Sequence, residues 1–129
     1  MPNIRENQIH LGLGATSVPQ PKFDGMEWYA AYGERVASDG DEGRLVAMFD
    51  FDTGWEHWEM HPNGSEVVLC TAGSVRILQE IEGAEVETTL GPGDYVINEP
   101  GVWHWAEPVD GRATGVFITS GRGTEHRPV

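Results

Sequence analysis

From residue 44 onward, apolar and polar residues alternate with the period of two that puts every other side chain on one face of a strand. In residues 74–81 the alternation is clear: Val75, Ile77 and Gln79 face one way, and Arg76, Leu78 and Glu80 the other. Comparable strand signals cover residues 45–51, 55–61, 66–71, 85–90, 95–98, 103–107 and 112–119. Turn signals separate them at Asn63-Gly64, at Gly83 and at Gly91-Pro92-Gly93-Asp94. Short strands at this spacing, with little helix, predict an all-β chain folded as a barrel or jelly roll. Residues 26–36, with Trp28, Tyr29 and Tyr32, fit either a strand or one or two helical turns.

The flanks look different. Residues 1–25 are polar and rich in glycine and proline, which predicts an extended arm lying on the barrel or reaching a neighbouring subunit. Asp39-Gly40-Asp41-Glu42-Gly43 reads as a solvated acidic turn, and the residues after 120 as an irregular tail. A single structural domain is therefore expected, divided into an irregular segment over 1–43, a barrel over 44–120 and a tail over 121–129.

Composition narrows the function. The chain has 129 residues, eight basic against twenty-one acidic, and a formal net charge of −13. Such a surface repels phosphate backbones and anionic bilayers, so nucleic-acid and membrane partners are not expected. Cys70 is the only cysteine, so no intrachain disulfide can form, and its apolar neighbours predict a buried position. No signal-peptide pattern opens the sequence and no run reaches the eighteen apolar residues of a membrane span, which together predict a cytoplasmic protein. Asn63-Gly64-Ser65 matches a glycosylation sequon and is read as a turn.

The chemistry concentrates around residue 60. On a strand over 55–61, His57, Glu59 and His61 share one face, opposite Trp58 and Met60. Glu66 then opens an apolar run and is expected to begin a buried strand returning beside the first. A buried carboxylate without a partner is costly, and a bound metal ion resolves that cost.

At this point a resemblance emerges. His61, four residues, Glu66, six residues and Gly73 resemble the second half of the first cupin motif. Gly93-Asp94 followed by Pro100-Gly101-Val102-Trp103-His104 is similar to the second cupin motif. The resemblance covers residues 44–120 and implies a double-stranded β-helix, the jelly-roll cupin barrel. It also implies that His61, Glu66 and His104 converge on one divalent transition metal: iron, manganese, zinc or nickel. Barrels of this type often pair through an outer sheet, so a homodimer is expected.

The sequence departs from the motifs in informative ways. Glu59 stands where the first histidine belongs, Glu99 precedes Pro100 at the proline position, Pro108 replaces an asparagine, and Thr53 replaces the opening glycine. Glu59 is a candidate fourth ligand; two carboxylates and two neutral imidazoles would then make the site neutral around a divalent ion. Alternatively it stays off the metal as a catalytic base or plays a structural part. His57 is a candidate substrate contact, while His10 and His126 receive no role. Trp103 and Trp105 should point away from the metal, and Trp55 should lie furthest from it. The expected function is a metal-dependent enzyme acting on a small polar molecule, with isomerase or lyase chemistry favoured over dioxygenase chemistry. The alternative is a binding or sensing module without turnover.

Overall fold

The structure, a computed structural model, describes residues 1–129. Its strands are β1 (Ile9–Gly12), β2 (Thr16–Pro19), β3 (Arg44–Phe51), β4 (His57–Met60), β5 (Glu66–Ala72), β6 (Val75–Ile81), β7 (Ala84–Leu90), β8 (Tyr95–Asn98), β9 (His104–Pro108), β10 (Ala113–Thr119) and β11 (Glu125–Pro128). They form two antiparallel sheets. One has the order β2-β1-β3-β10-β5-β8 and the other β11-β4-β9-β6-β7. The inner faces close on Val68, Cys70, Val75, Ile77, Leu90 and Phe117, so the expected all-β jelly roll is what the chain forms. Cys70 is wholly buried, and no helix is long and apolar enough to cross a membrane.

Four features differ from the sequence reading or complete it. Residues 26–36 are helical: α1 spans Glu27–Arg35. Trp28 and Tyr32 stand four apart, so a helix stacks their rings at 5.3 Å, a contact that a strand would not make. Asp39, in the 3-10 turn over Ala37–Glu42, takes a hydrogen bond from the buried His10 Nε2 at 2.6 Å. The first 43 residues thus add a hairpin to the six-stranded sheet through β1 and β3, with the helix beside it.

The turn over 62–65 does not fold β5 back beside β4. It carries the chain from one sheet to the other, because β4 pairs with β9 and β11 whereas β5 pairs with β8 and β10. Finally, the tail is not irregular. Its β11 lies along β4, with Arg127 held between the rings of Trp58 and Trp103 at 4.9 and 4.7 Å and ion-paired to Glu80. That clasp depends on residues far apart in sequence.

Candidate metal centre

The switch of sheets at residues 62–65 creates the site. It places His61, just past β4, across the barrel from Glu66 at the start of β5, and His104 at the start of β9 completes the group. The backbone N–H of Gly101 donates to the His61 carbonyl at 3.0 Å, tying the first motif to the second. One ligand atom from each of His61, Glu66 and His104 lies within 4.8 Å of the others. All three side chains are buried.

The hydrogen bonds around the rings orient their lone pairs. His104 Nδ1–H donates to the Val102 carbonyl at 3.0 Å. Thr124 donates its hydroxyl proton to Gly121 at 2.8 Å, so its oxygen accepts from His61 Nδ1–H, also at 2.8 Å. Each ring therefore keeps a free Nε2 for the barrel interior. Both Nε2 atoms lack a hydrogen-bond partner although they lie 3.2 and 3.1 Å from the Glu66 oxygens. Two unpartnered imidazole nitrogens converging on a buried carboxylate fit a divalent transition ion.

Glu66 is anchored from behind. Its Oε1 accepts from Asn98 Nδ2 at 3.0 Å and its Oε2 from the Thr119 hydroxyl at 2.6 Å. Gln79 Nε2 donates in turn to Asn98 Oδ1 at 2.8 Å. Burial pushes the Glu66 carboxyl up, but the rings of His104 and His61 beside it outweigh burial and hold it well below the usual carboxylate range. Burial disfavours charge on His104 as well, yet the Glu66 carboxylate wins and raises its pKa.

Glu59 is the direct cross-strand partner of His104, so its side chain points into the same interior. It is not among the three residues whose ligand atoms cluster. Burial, reinforced by Glu66, raises its pKa. His57, two residues back on the same face, is exposed, with its ring 6.3 Å from that of His126.

Sequence reasoning missed several residues here. His126 is paired with Glu59 across β11 and β4, and its Nε2 lies 3.7 Å from Glu59 Oε1. Trp55 is not the remote member of its segment: its ring meets His104 edge-on at 5.9 Å and Phe117 at 6.0 Å. The chain turns into the core before β4 begins, and an uninterrupted strand over 55–61 would have hidden this. Thr124 and Thr119 support the ligands from segments that carry no motif, and Asn98 does so from an unspecified position inside the second motif.

Tyr29 of α1 also belongs to this region. Burial first, and then the charge of Glu59, push its hydroxyl up to about 12; burial and Asp39 do the same for Tyr32. Two of the three tyrosines should therefore resist ionisation until about pH 12. Because both folded values lie above the ordinary value of about 10, their stabilising effect is complete below pH 10 and is lost as pH rises through 12. Ultraviolet titration followed alongside circular dichroism checks this: the late tyrosine transition should coincide with loss of the fold.

Fold and site together define a small jelly-roll barrel enclosing one candidate metal position. That fold is the cupin fold, as comparison with solved structures shows. A cupin-like protein from Thermotoga maritima superposes with a TM-score of 0.54 at 22% identity, covering 66% of this chain and 65% of that one. A cupin-2 domain protein from Shewanella frigidimarina gives 0.51 at 17% identity, covering 59% and 69%. Oxalate oxidase gives 0.55 at 17% identity over 63% of this chain, which corresponds to 44%, under half, of the oxidase chain. No family model and no curated protein matches the sequence.

Proposed function

We propose that the chain is a metal-dependent enzyme that moves a proton on a small polar molecule, in isomerase or lyase chemistry. The observation behind this reading is the pair of unpartnered Nε2 atoms converging on Glu66, with the Glu59 carboxyl opposite His104. His61, Glu66 and His104 would hold one divalent ion. Bound there, it would polarise a substrate oxygen and make the neighbouring C–H more acidic. Glu59 serves as the base: a carboxyl whose pKa is raised towards the working pH takes a proton and gives it back efficiently. The half-exposed His126 beside Glu59, with His57 next to it, links that proton to solvent.

Elemental analysis of protein purified without chelators tests the assignment. Wild type should hold one divalent transition ion per chain, His104→Ala none, and Glu59→Gln a full complement with no turnover. Loss of metal in Glu59→Gln would make Glu59 a fourth ligand instead. Metal-free wild type would sink the enzyme reading. Oxygen consumption that tracks substrate loss would replace proton transfer by dioxygenase chemistry. The depth of the ligands, His104 being 1% and His61 6% exposed, favours one competing reading, a binding or sensing module. That reading stands if small polar ligands bind the metal-loaded protein unchanged.

The protein is further proposed to act in the cytoplasm as a homodimer, a setting that suits its acidic surface and lone buried thiol. The outward face of the six-stranded sheet supports the dimer. Register lines up Ile9, Val46, Ile118, Val67 and Ile97 in one row and Met48, Val116, Leu69 and Tyr95 in the next. Tyr95 is 62% and Ile97 44% exposed, and an apolar face of this extent on a chain of charge −13 calls for a cover. A second copy packed face to face buries both rows by the same contact on each side. Sedimentation should give a dimer for wild type and a folded monomer for Leu69→Glu.

A further inference from the structure

β11 is an edge strand of four residues, with β4 as its neighbour in the sheet. A ladder this short, paired on one side, belongs to the part of a fold that opens most readily. Alternation gives the strand two faces. His126 lies opposite Glu59 and Arg127 opposite Trp58. His126 therefore shares the ligand face of β4, and Arg127 shares the outer face that carries Trp58. Thr124, two residues before His126, is on the inner side, where its hydroxyl accepts from His61 Nδ1–H at 2.8 Å.

The outer face is what holds the strand down. Arg127 is half-buried, and the other three residues of β11 are exposed. Its guanidinium carbon lies 4.9 Å from the centre of the Trp58 ring and 4.7 Å from that of Trp103, and it pairs with Glu80 of β6. One side chain thus fastens β11 to β4, to β6 and to the segment entering β9. The other attachments of this end of the chain are looser. His126 Nε2 stands 3.7 Å from Glu59 with its side chain 46% exposed, and Arg122 meets Asp41 at 3.6 Å in solvent.

Thr124 matters because a metal-binding imidazole is aimed by the hydrogen bond at its other nitrogen. For His104 that partner is the Val102 carbonyl, two residues away. For His61 it is Thr124, sixty-three residues away. Thr124 hangs between two supports. On one side its N–H and hydroxyl both donate to the Gly121 carbonyl, at 3.2 and 2.8 Å. On the other is the strand that Arg127 pins.

Building on the metal reading above, we propose that Arg127 is a positioning residue for that site. The two indoles and Glu80 hold β11 in register, and β11 holds Thr124 on His61. A clasp on the outside of the sheet so sets how firmly the ion is kept inside. His104 is fixed locally, whereas His61 is fixed by the far end of the chain.

Zinc dissociation constants and proton NMR spectra test this. Thr124→Val should weaken zinc binding by about tenfold or more, the range for removing a ligand's hydrogen-bond partner. Arg127→Ala should weaken it several-fold, and Arg127→Lys, which keeps a cation between the rings, should recover part of the loss. Combining Arg127→Ala with Thr124→Val should bind zinc no more weakly than Thr124→Val alone, because both break one connection. Arg76 supplies the control. Its guanidinium lies 5.9 Å from the centre of the Trp105 ring and pairs with Glu107, so Arg76→Ala removes a similar clasp from the same sheet without touching β11. That variant should melt lower and bind zinc as wild type does. In the metal-free protein the His61 Nδ1–H resonance, assigned by its absence in His61→Gln, should be sharp in wild type and lost to exchange in Arg127→Ala. A lower melting temperature with unchanged zinc binding in Arg127→Ala would make the clasp structural and overturn the proposal. So would equal zinc losses in Arg127→Ala and Arg76→Ala, or additive losses in the double variant. If wild type takes no zinc, the metal reading fails separately. The Nδ1–H resonance then still decides, since its persistence in Arg127→Ala would show that Arg127 does not position His61.

Discussion

Glu66→Ala should abolish metal binding and cost about 3–5 kcal/mol of stability, the range for breaking a buried ion pair by removing one partner. The side chain is 4% exposed, and four polar groups depend on it. Asn98 Nδ2 and the Thr119 hydroxyl lose their acceptor, while His61 and His104 lose the carboxylate 3.2 and 3.1 Å from their Nε2 atoms. The disturbance spreads to Gln79, whose amide donates to Asn98. Against a total stability of about 5–15 kcal/mol for an ordinary domain, this is the largest single effect expected in the chain, and urea denaturation would measure it. Glu66→Gln should also lose the metal but cost less, since one of its two polar atoms still accepts.

The same residue sets an acid limit. In the metal-free protein the Glu66 pKa is lowered on folding, so its stabilising effect is present above the unfolded value of about 4.3 and is lost as pH falls through the folded value. His104 has the opposite sign. Its raised pKa gives stability that is complete below about 6.5 and is lost as pH rises through the folded value. The apo protein should therefore be most stable between about pH 4 and 6.5, and Glu66→Ala should flatten that maximum. Metal binding, which needs both rings unprotonated at Nε2, should weaken as pH falls.

What could be read from the sequence and what could not divides by range of interaction. Alternation alone puts Gln79 on one face with Val75 and Ile77, and the structure buries all three. His61, Glu66 and His104 were legible because their motifs are local and need only a barrel to bring them together. The roles of His126 and Thr124 were not, because they depend on β11 pairing with a strand more than sixty residues away. A four-residue strand beginning at Glu125 carries no periodic signal of its own. The turn at residues 62–65 shows another limit. Asn-Gly specifies a tight reversal, but the sheet each flanking strand joins is decided by packing, and here the two strands separate.

Gly73→Ala should destabilise the chain by about 3 kcal/mol, combining the cost of a left-handed alanine with that of overpacking against fixed backbone. Gly73 joins β5 to β6 at φ +71°, and a Cβ there would lie 2.4 Å from the Arg112 carbonyl oxygen and 3.1 Å from Ala113 Cα. Neither neighbour moves freely, because Ala113 opens β10 and is 1% exposed in the core. Gly83 supplies the control. It has φ +79° in the β6–β7 turn with nothing within 4 Å of a Cβ, so Gly83→Ala should cost only the left-handed term, about 1 kcal/mol. Asparagine separates the two causes. It tolerates the left-handed region but carries a Cβ, so Gly83→Asn should be close to wild type, whereas Gly73→Asn should stay destabilised. Equal rescue at both positions, measured by denaturant midpoint, would show that φ alone demands the glycine and that β10 yields to a side chain. Because Gly73 touches the far end of β10 from Thr119, Gly73→Ala should keep its full metal content while folded, which sets this glycine apart from the ligands whose motif it completes.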